Sequence, residues 1–542
     1  MRDGSAAVTV MDQSNLLIIA NLVADRAARQ PDLDVLTFEH EGTVETLTYR
    51  ELWENGQRLA KALGDLGMAK GDRFALLIQN HPEFVELMVA SAILGTAFVP
   101  IDPRTKGDKL AYMLRDSGCR GVVCAGYSRE GLIAALPNCP AIEWVAQLGE
   151  LADDVSDCPT YAVGDWLGQA VPSPALPVAI KSEAEPMQLM YTSGTTGDPK
   201  GIVVPHARFG AVSNHGEAVF GYRDGDRPYT GLSLTHGNAQ FVTLAPSLKM
   251  GLRAVFSQRF TKSRLWDIVR QHGCTTFSLL GGMVTAIYAE LPKPDDAVNP
   301  VRLVVSAGMP AAIWDAFERR FAVDVFEFYG AMEGGMTIKR VGEGPTGSCG
   351  RPAPGLIAQV IDDEGHEVAC GTPGELVFRM ADGPFPPVRY HNNPEASAKK
   401  VVDGWLHSGD IVRMDAEGWI FYEYRKGGGL RRNGDFVSPA HIERTLAEHP
   451  GVDDIFVYGV PAANGAPGEK DVVAAIVPTG TANPESVFAW AAERLEPNMV
   501  PTYLQFVQQI PKTASEKPQE RFLAEMFASG AAPVHTINGV KS

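Results

Sequence analysis

The sequence predicts an α/β protein with a large N-terminal domain and a small α+β C-terminal domain. Three features support this prediction: apolar runs that alternate with amphipathic stretches from Arg73 onward, short segments broken by Gly and Pro between Gly347 and Phe421, and a polar, glycine-rich stretch at 425–434. The chain has 542 residues, which is too long for one hydrophobic core, so we expect two or more domains.

The first two-thirds of the chain shows the alternation of strand-like and helix-like segments that is typical of βα units. The segments are, in order, a strand-like run from Arg73, a helix-like stretch at 83–94, a strand-like run from Ala97, a helix-like stretch at 108–116 and a strand-like run from Gly121. Because strands joined through helices pair in parallel, we expect a mostly parallel sheet in this part.

Short runs broken by Gly and Pro between Gly347 and Phe421 predict hairpins and a β-rich subdomain. The stretch that follows reads ArgLysGlyGlyGlyLeuArgArgAsnGly, and its three successive glycines support neither helix nor strand, so we predict a flexible hinge. A helix-like segment at 439–449 and two strand-like runs predict a small α+β domain after it. The predicted domains are 1–424, the hinge 425–434 and 435–542, with a frayed tail from about Ser529.

Composition excludes several classes of function. The formal net charge of −17 argues against a nucleic-acid-binding surface, which is usually basic. The seven cysteines contain no C-x-x-C pair, which favours free thiols in a reducing compartment over disulfides or a zinc site. The apolar run at 16–24 is too short to cross a bilayer. We therefore expect a cytoplasmic protein without a transmembrane segment, and leave a peripheral membrane contact open.

Residues 192–201 read ThrSerGlyThrThrGlyAspProLysGly and follow a strand-like run. Glycines let the backbone approach a polyphosphate closely, hydroxyl groups can donate to phosphate oxygens, and Lys200 adds a cation. The segment therefore predicts a phosphate-binding loop, although a Gly/Ser/Thr-rich surface turn has a similar composition. It does not fit G-x-x-x-x-G-K-[ST], which disfavours γ-phosphoryl transfer of the P-loop type.

The segment 192–201 resembles the signature of the adenylate-forming superfamily, which includes acyl-CoA synthetases, luciferases and nonribosomal-peptide adenylation domains. Further motifs follow in the expected order, so the resemblance covers the chain from about residue 15 to residue 524. It implies two α/β sheet subdomains and a β-rich subdomain in an N-terminal domain that binds ATP and the acyl group, followed by a small mobile C-terminal lid. It also implies that the protein uses ATP and Mg²⁺, and coenzyme A as a co-substrate.

In the phosphate loop, the resemblance implies a catalytic role for Thr192 and a Mg²⁺-binding role for Thr195. The nucleotide-binding residues implied in this loop are Ser193, Gly194, Thr195, Thr196, Gly197 and Lys200. His236, within LeuSerLeuThrHisGlyAsn, matches a histidine near the acyl pocket and is carried over as catalytic. A hydrogen-bonded core histidine is the alternative for this residue.

Two segments resemble motifs that surround the adenine. The sequence TyrGlyAlaMetGlu at 329–333 resembles Y-G-x-T-E, which implies that Tyr329 and Gly330 bind the nucleotide and that Glu333 is a catalytic Mg²⁺ ligand. Met332 stands where the family has Thr, so one hydroxyl near the α-phosphate is missing. The small-residue segment that would let the flat base lie against backbone comprises Ala307, Gly308 and Met309.

Four residues near the hinge and the C-terminus complete the implied site. Asp410, in SerGlyAsp, would accept both ribose hydroxyls, and Arg425 would reach the ribose and phosphate. Gly434 would let the pantetheine arm pass. Lys517, in ProLysThrAlaSerGluLys, would be the adenylation lysine, whose ammonium offsets charge that builds at phosphorus. Gly427 replaces the usual hinge residue and Glu516 the usual glycine before the lysine.

The sequence therefore predicts an acid–CoA ligase that forms an acyl-adenylate and pyrophosphate, then acyl-CoA and AMP. The sequence is similar to crotonobetaine/carnitine–CoA ligase-like enzymes, and small residues at 281–283 predict room for a medium-sized or bulky acid. Two alternatives are an enzyme that loads a carrier protein and a degenerate, non-catalytic nucleotide binder. A homodimer is compatible with the sequence, as is a monomer.

Overall fold

The structure, a computed structural model, describes residues 13–151, 158–192, 199–426, 430–432, 435–437, 439–462, 470–480, 482–495, 497–513, 518–537 and 539–540. The chain divides into two compact units. The first comprises Met1–Thr261, Asp267–Ser278 and Val388–Ser397, and the second comprises Lys262–Trp266, Leu279–Pro387 and Ala398–Ser542. The predicted domain boundaries at 424 and 434 stay predictions.

The strands that begin before residue 280 are β1 Asp34–His40, β2 Thr43–Thr48, β3 Arg73–Leu77, β4 Ala97–Pro100, β5 Gly121–Ala125, β6 Trp144–Leu148, β7 Thr160–Ala162, β8 Pro186–Thr192, β9 Lys200–Pro205, β10 Pro228–Thr230, β11 Ala254–Ser257 and β12 Thr276–Leu280. The helices in this range are α1 Ile19–Arg29, α2 Tyr49–Asp65, α3 Pro82–Leu94, α4 Gly107–Ser117, α5 Gly126–Ala135, α6 Val163–Leu167, α7 His206–Ser213, α8 His215–Ala218, α9 Ala245–Met250 and α10 Leu265–His272.

The first unit contains a sheet of order β7-β6-β5-β3-β4-β8-β9, parallel except for β9, which runs antiparallel to β8. β4 and β5 are buried along their whole length, as expected for parallel strands covered by helices on both faces. In a second sheet β12, β10, β11 and β1 pair in parallel, with β2 antiparallel at the edge. These parallel pairs confirm the predicted α/β class.

Helix α3 forms the buried centre of the first unit's helical packing. It is apolar around its whole circumference, and a helix of this kind is stable only when it is enclosed. Its residues from Phe84 to Ile93 are all buried. It packs against α2 at Gly56, where a Cβ would stand 2.6 Å from Val89. The predicted helix at 83–94 is confirmed.

The second unit contains the strands β13 Leu303–Ala307, β14 Asp324–Ala331, β15 Gly334–Lys339, β16 Arg351–Pro352, β17 Leu356–Ile361, β18 Gly374–Met380, β19 Val401–Val402, β20 Trp405–Met414, β21 Ile420–Arg425, β22 Leu430–Arg432, β23 Asp435–Val437, β24 Val452–Pro461, β25 Lys470–Pro478, β26 Tyr503–Phe506, β27 Val534–Thr536 and β28 Gly539–Val540. Its helices include α11 Gly281–Tyr288, α12 Trp314–Phe321, α14 Pro439–Ala447, α15 Pro484–Arg494 and α16 Glu520–Ser529, and α13 Pro394–Lys400 crosses the boundary between the units.

Strands β13 and β14 pair in parallel, and β15 and β16 extend this sheet antiparallel. An antiparallel sheet of β17, β18, β20, β19 and β21 confirms the predicted β-rich subdomain. Part of the predicted hinge is ordered, because β22 pairs with β23 as a hairpin. Gly427 and Gly434 lie outside the described residues, so the flexible hinge stays a prediction.

The C-terminal sheet β24-β25-β26-β27-β28 packs with α14 and α15 over a core that includes Val457 and Ile476, which confirms the predicted α+β domain. The predicted frayed tail is wrong for the described residues after Ser529. Val534 is buried in β27 and pairs with Gln505 of β26. The tail is ordered because its backbone donors and acceptors complete a sheet edge.

The cysteines are all free, five of them are buried, Cys158 is half-buried and Cys370 is exposed. This confirms the prediction of free thiols. Within the part of the chain that the structure describes, no helix is long and apolar enough to cross a bilayer.

Candidate nucleotide-binding site

The predicted phosphate loop lies at the end of a β-hairpin in the first unit. Thr192 ends β8 and Lys200 begins β9, and the two residues are directly paired. The Thr192 hydroxyl donates to the Lys200 carbonyl at 3.4 Å. The hairpin therefore closes the base of the loop. Five predicted ligands lie outside the described residues: Ser193, Gly194, Thr195, Thr196 and Gly197.

A segment distant in sequence supports this hairpin. The His391 N–H donates to the Gly201 carbonyl at 2.7 Å, and the Lys200 ammonium lies 5.8 Å from the centre of the Tyr390 ring. Tyr191, just before the loop, donates its phenol to Asp116 Oδ2 at 2.6 Å, and His391 Nε2 lies 2.9 Å from the Asp116 carbonyl oxygen. These contacts left no signal in the sequence, because they join residues far apart along the chain.

His236 lies in a tightly held loop of the first unit, between β10 and a π-helical segment at Ala239–Leu244. Asn80 accepts from the Leu234 N–H at 2.7 Å, and Gln240 donates to the Leu234 carbonyl at 2.7 Å. His236 is half-buried, and its Nδ1 accepts from the Asn238 N–H at 3.2 Å. In the neutral ring this hydrogen bond places the proton on Nε2. Short π-helical segments are frequent at functional sites.

The second unit brings together Asp410 and Arg425, which were predicted at the ribose, and Tyr329, which was predicted at the adenine. Asp410, in β20, is 6% exposed and accepts the Tyr329 hydroxyl at 2.5 Å and the Arg425 guanidinium at 2.9 Å. Burial and the adjoining Asp410 carboxylate raise the pKa of Tyr329, so its phenol stays a donor. Asp410 and Arg425 are directly opposite on paired strands, which explains their contact. The carboxylate is buried but has both a cation and a donor as partners.

The loop before Asp410 is held by residues that sequence analysis missed. Gly409 has a φ of +77°, a conformation that favours glycine, and its N–H donates to Glu375 Oε1 at 3.1 Å. Lys400, which is largely buried, donates to the Ser408 carbonyl at 3.0 Å. Burial lowers the pKa of Lys400 despite attraction from Glu333. An ordinary Lys or Glu in sequence gives no signal for such a role.

The small-residue segment Ala307–Met309 leaves β13 at its C-terminal end. Gly308 has a φ of +96°, and a Cβ at Gly281 would stand 2.5 Å from the Gly308 carbonyl oxygen. The Glu327 carboxylate accepts the Gly308 N–H at 2.5 Å and the Met309 N–H at 3.1 Å. Gly281 is thus required by close backbone packing and Gly308 by its left-handed φ, so Gly281 is explained without reference to an acyl group.

Glu333 is half-buried at the start of β15, and its charge interacts with Lys400 and Arg425. Among the described residues no group of three His, Cys, Asp or Glu side chains is arranged to hold a metal ion. One carboxylate is still compatible with Mg²⁺, which binds through substrate phosphates and waters and takes few protein ligands. Met332 brings no hydroxyl to this position.

Lys517 and Gly434 lie outside the described residues. The base of the lysine loop is described, however. Lys512 pairs with Asp454 at 2.5 Å, and Gln519 donates to the Lys512 carbonyl at 3.1 Å. A bridge between Lys512 and Pro518 closes the loop. The two ends of the segment that carries Lys517 are thus joined to each other, and Lys512 is held on the C-terminal sheet by Asp454.

Known protein families and individual proteins are similar to this chain over most of its length. The AMP-binding enzyme family matches residues 23–383, and the AMP-binding enzyme C-terminal domain matches residues 441–517. The chain is 30% identical to the fatty acid–[acyl-carrier-protein] ligase ScoC of Streptomyces coeruleorubidus, over 90% of this chain and 93% of that protein. It is 27% identical to the crotonobetaine/carnitine–CoA ligase of Salmonella typhi, over 91% of this chain and 96% of that protein.

Among solved structures, the anthranilate CoA ligase AuaEII in complex with anthranoyl-AMP matches with a TM-score of 0.82 at 24% identity, covering 96% of this chain and 100% of that one. This likeness supports the fold, including the large N-terminal and small C-terminal parts. The family match extends over more than half of the chain. This chain therefore belongs to the AMP-binding enzyme family and is an AMP-forming acid–thiol ligase.

Proposed function

We propose that this chain activates a medium-sized or bulky carboxylic acid with ATP and transfers the acyl group to coenzyme A. The observation that carries the proposal is the buried carboxylate of Asp410, held by Tyr329 and Arg425. An ionised, pre-oriented carboxylate with two acceptor oxygens suits the two hydroxyls of a ribose. A cytoplasmic location belongs to the same proposal.

In the first half-reaction a carboxylate oxygen of the acid attacks the α-phosphorus of ATP. The bond to the bridging oxygen breaks, so acyl-AMP and pyrophosphate form. The chain contributes Lys200 and the hydroxyls of the phosphate loop at the phosphates, and Lys517 between the carboxylate and the α-phosphate. Cations fixed in these places stabilise the charge that builds during the attack. His236 would orient the acid through its Nε2–H.

Mg²⁺ would be held by Glu333 and Thr195 together with the phosphates of ATP. When bound, it neutralises part of the phosphate charge. Glu333 suits this role because a single half-buried carboxylate leaves the phosphates and waters to supply the remaining ligands.

In the second half-reaction the sulfur of coenzyme A attacks the acyl carbon. The bond to the AMP oxygen breaks, AMP leaves, and the thiol proton goes to solvent. We propose that the C-terminal part rotates about Gly427, which withdraws Lys517 and lets the pantetheine arm pass Gly434. Glycine tolerates the large change of φ and ψ that such a rotation requires.

The size of the acid is proposed from the segment at the start of α11. Gly282 is exposed next to the buried Met283, and we propose that it lies beside the acyl group, so that a larger side chain at 282 would reduce the space for the acid. A panel of carboxylic acids assayed for thioester formation should show reaction with bulky acids, and Gly282→Leu should shift the preference toward smaller ones. Reaction of short linear acids alone, with no effect of Gly282→Leu, would contradict the proposed substrate size.

A carrier protein is the alternative acceptor, because the relative from Streptomyces coeruleorubidus is named as an acyl-carrier-protein ligase. The two acceptors share the same thiol chemistry. Supplying the adenylate with free coenzyme A and with a phosphopantetheinylated carrier protein, in parallel, separates them. Faster turnover with coenzyme A supports the proposal.

The central test is acid-dependent exchange of pyrophosphate into ATP. We expect exchange in the wild type and release of AMP, not ADP, when coenzyme A is added. Lys517→Ala should abolish the exchange while ATP still binds. A wild-type chain that binds ATP without exchange, over a broad panel of acids, would be the degenerate nucleotide binder.

A further inference from the structure

Glu327 is a carboxylate enclosed within the sheet of the second unit. It is 2% exposed, and it lies beside Ser306 on the parallel strand β13. Its two oxygens accept the backbone N–H groups of Gly308 and Met309, which follow β13 directly. The left-handed φ of Gly308 lets successive N–H groups converge on one anion. The carboxylate therefore fixes the chain at the point where it leaves the sheet.

Charged groups adjoin this carboxylate from neighbouring elements. Lys339 is its direct partner on the antiparallel strand β15, is 5% exposed, and places its ammonium 4.0 Å from the centre of the Trp314 ring. The Ser306 hydroxyl faces Glu327 from β13, and the Cys349 thiol faces it from the segment before β16. Lys339 is in turn faced by Glu318 and Asp315 of α12 and by Glu343.

Packing alone does not explain a charge at this position. Removing a carboxylate from water is costly, and an apolar side chain of similar volume would stabilise a sheet interior as well or better. The two N–H groups that the carboxylate binds belong to the segment Ala307–Met309, which the sequence analysis predicted beside the adenine of ATP. The buried carboxylate of Glu327 is thus explained by the backbone conformation that it stabilises in that segment.

We propose that Glu327 is a positioning residue for the adenine of ATP: its carboxylate fixes the Gly308–Met309 backbone against which the base lies. This inference rests on the proposed function. Glu327 acts through the backbone and not on the reacting atoms. Its loss should therefore raise the KM for ATP and leave kcat at saturating ATP nearly unchanged.

A dependence on pH follows from the same geometry. Burial raises the pKa of Glu327 to about 7, although the two N–H groups, Ser306 and Lys339 act in the opposite direction. Above this pH the ionised carboxylate accepts both N–H groups. Below it, one oxygen carries a proton and becomes a donor that faces another donor. Adenine-nucleotide binding should therefore weaken as the pH falls through the pKa of Glu327.

The experiment measures the KM for ATP in pyrophosphate exchange from about pH 6 to about pH 8.5 in the wild type and in Glu327→Gln. The wild-type KM should rise about tenfold toward low pH, which corresponds to one charge-assisted hydrogen bond. In Glu327→Gln the amide NH₂ faces an N–H donor at every pH. The KM for ATP of this variant should therefore be about tenfold above the wild-type value at high pH and should not change with pH. The ionisation of ATP affects both proteins equally and cancels in their ratio.

Two further variants separate positioning from general stability. Glu318→Gln is the matched control, because Glu318 also accepts a backbone N–H, that of Val325 at 3.0 Å, and does not contact the adenine segment. It should keep the wild-type KM for ATP at high pH, where Glu327 is ionised. Lys339→Met removes a cation that lowers the pKa of Glu327, so the midpoint should move to higher pH. This shift tests the inference independently if Glu327→Gln fails to fold.

If the wild type exchanges pyrophosphate and Glu327→Gln has the same KM for ATP and the same pH profile, the inference about Glu327 is overturned and the proposed function stands. An equal rise of the KM values for ATP, acid and coenzyme A would also overturn it, since that pattern indicates general damage. Absence of exchange in the wild type would overturn the proposed function instead.

Discussion

Replacing Gly281 by alanine should displace the adenine segment of the second unit. A Cβ at this position would stand 2.5 Å from the Gly308 carbonyl oxygen, whereas ordinary contact begins at 3.4 Å, so the overlap is 3.4 − 2.5 = 0.9 Å. The obstacle is backbone, which cannot rotate away as the end of a side chain can. Either the first turn of α11 or the Ala307–Met309 segment has to move.

The size of the effect follows from two opposing contributions. Overpacking of this kind costs about 1–3 kcal/mol, and a Gly→Ala change in a helix returns about 0.4–1 kcal/mol by restricting the unfolded chain. The net loss of stability should be about 1–2 kcal/mol. If displacement of the segment costs a similar free energy in nucleotide binding, the KM for ATP rises about tenfold.

Gly126 offers a matched control. It is also the first residue of a helix, α5, and a Cβ at this position would meet nothing within 4 Å. Thermal unfolding and the KM for ATP in pyrophosphate exchange would be measured for Gly281→Ala and Gly126→Ala. We expect Gly126→Ala to be neutral or slightly stabilising, with an unchanged KM. Equal behaviour of the two variants would refute the reasoning from close packing.

Three other predictions concern single side chains. Asp410→Asn should raise the KM for ATP about tenfold to a hundredfold, because charge-assisted hydrogen bonds are lost; an unchanged KM would remove Asp410 from the ribose site. Glu86 is 1% exposed and burial raises its pKa to about 8. Since its folded-state pKa lies above the unfolded value, the stability it contributes is complete below about pH 4.5 and is lost as the pH rises toward 8. In Glu86→Gln the free energy of unfolding should therefore fall less steeply than in the wild type between about pH 4.5 and about pH 8. An unchanged slope would contradict this prediction. A thiol reagent followed by mass spectrometry should label the exposed Cys370 first, and Cys370→Ser should keep full activity; early labelling of a buried thiol would contradict the structure.

The sequence predicted elements best where one local pattern decides the structure. The helix at Pro82–Leu94 was predicted to within one residue, because its apolar run is long and ends at Gly95, which adopts the left-handed conformation with a φ of +84°. The strands β3, β4 and β5 are short apolar runs bounded by polar residues and glycines, and parallel pairing buries them. These features need no information from distant parts of the chain.

Features that depend on distant partners could not be predicted. The strand β27 contains three residues, too few for a pattern, and it forms because Leu504 and Gln505 of β26 present free backbone groups to it. The support of Gly201 by His391 joins residues far apart in sequence. Predicting such contacts requires knowing which segments the fold brings together, and residue type alone does not give this information.

The segment 307–309, which we propose flanks the adenine, and the loop at Gly409, which we propose binds the ribose, share one feature: a buried glutamate accepts the N–H of a glycine with positive φ. Glu327 holds Gly308 in the first case, and Glu375 holds Gly409 in the second. Their acidities differ for a clear reason. Burial would raise the pKa of Glu375, but Lys426, at 3.1 Å, and His407 outweigh burial and lower it. Around neutral pH we therefore expect only the adenine segment to lose its ionised acceptor.

Lys426→Met should remove this difference between the two loops. Without the ammonium, burial would raise the pKa of Glu375, and the Gly409 loop would also lose its ionised acceptor as the pH falls. AMP affinity, measured by calorimetry from about pH 6 to about pH 8.5, should then fall more steeply toward low pH than in the wild type. Calorimetry with AMP measures binding without turnover, so an effect of Lys426 on domain rotation during catalysis does not enter the result. An identical pH dependence in the two proteins would mean that the Glu375 carboxylate does not control the ribose loop.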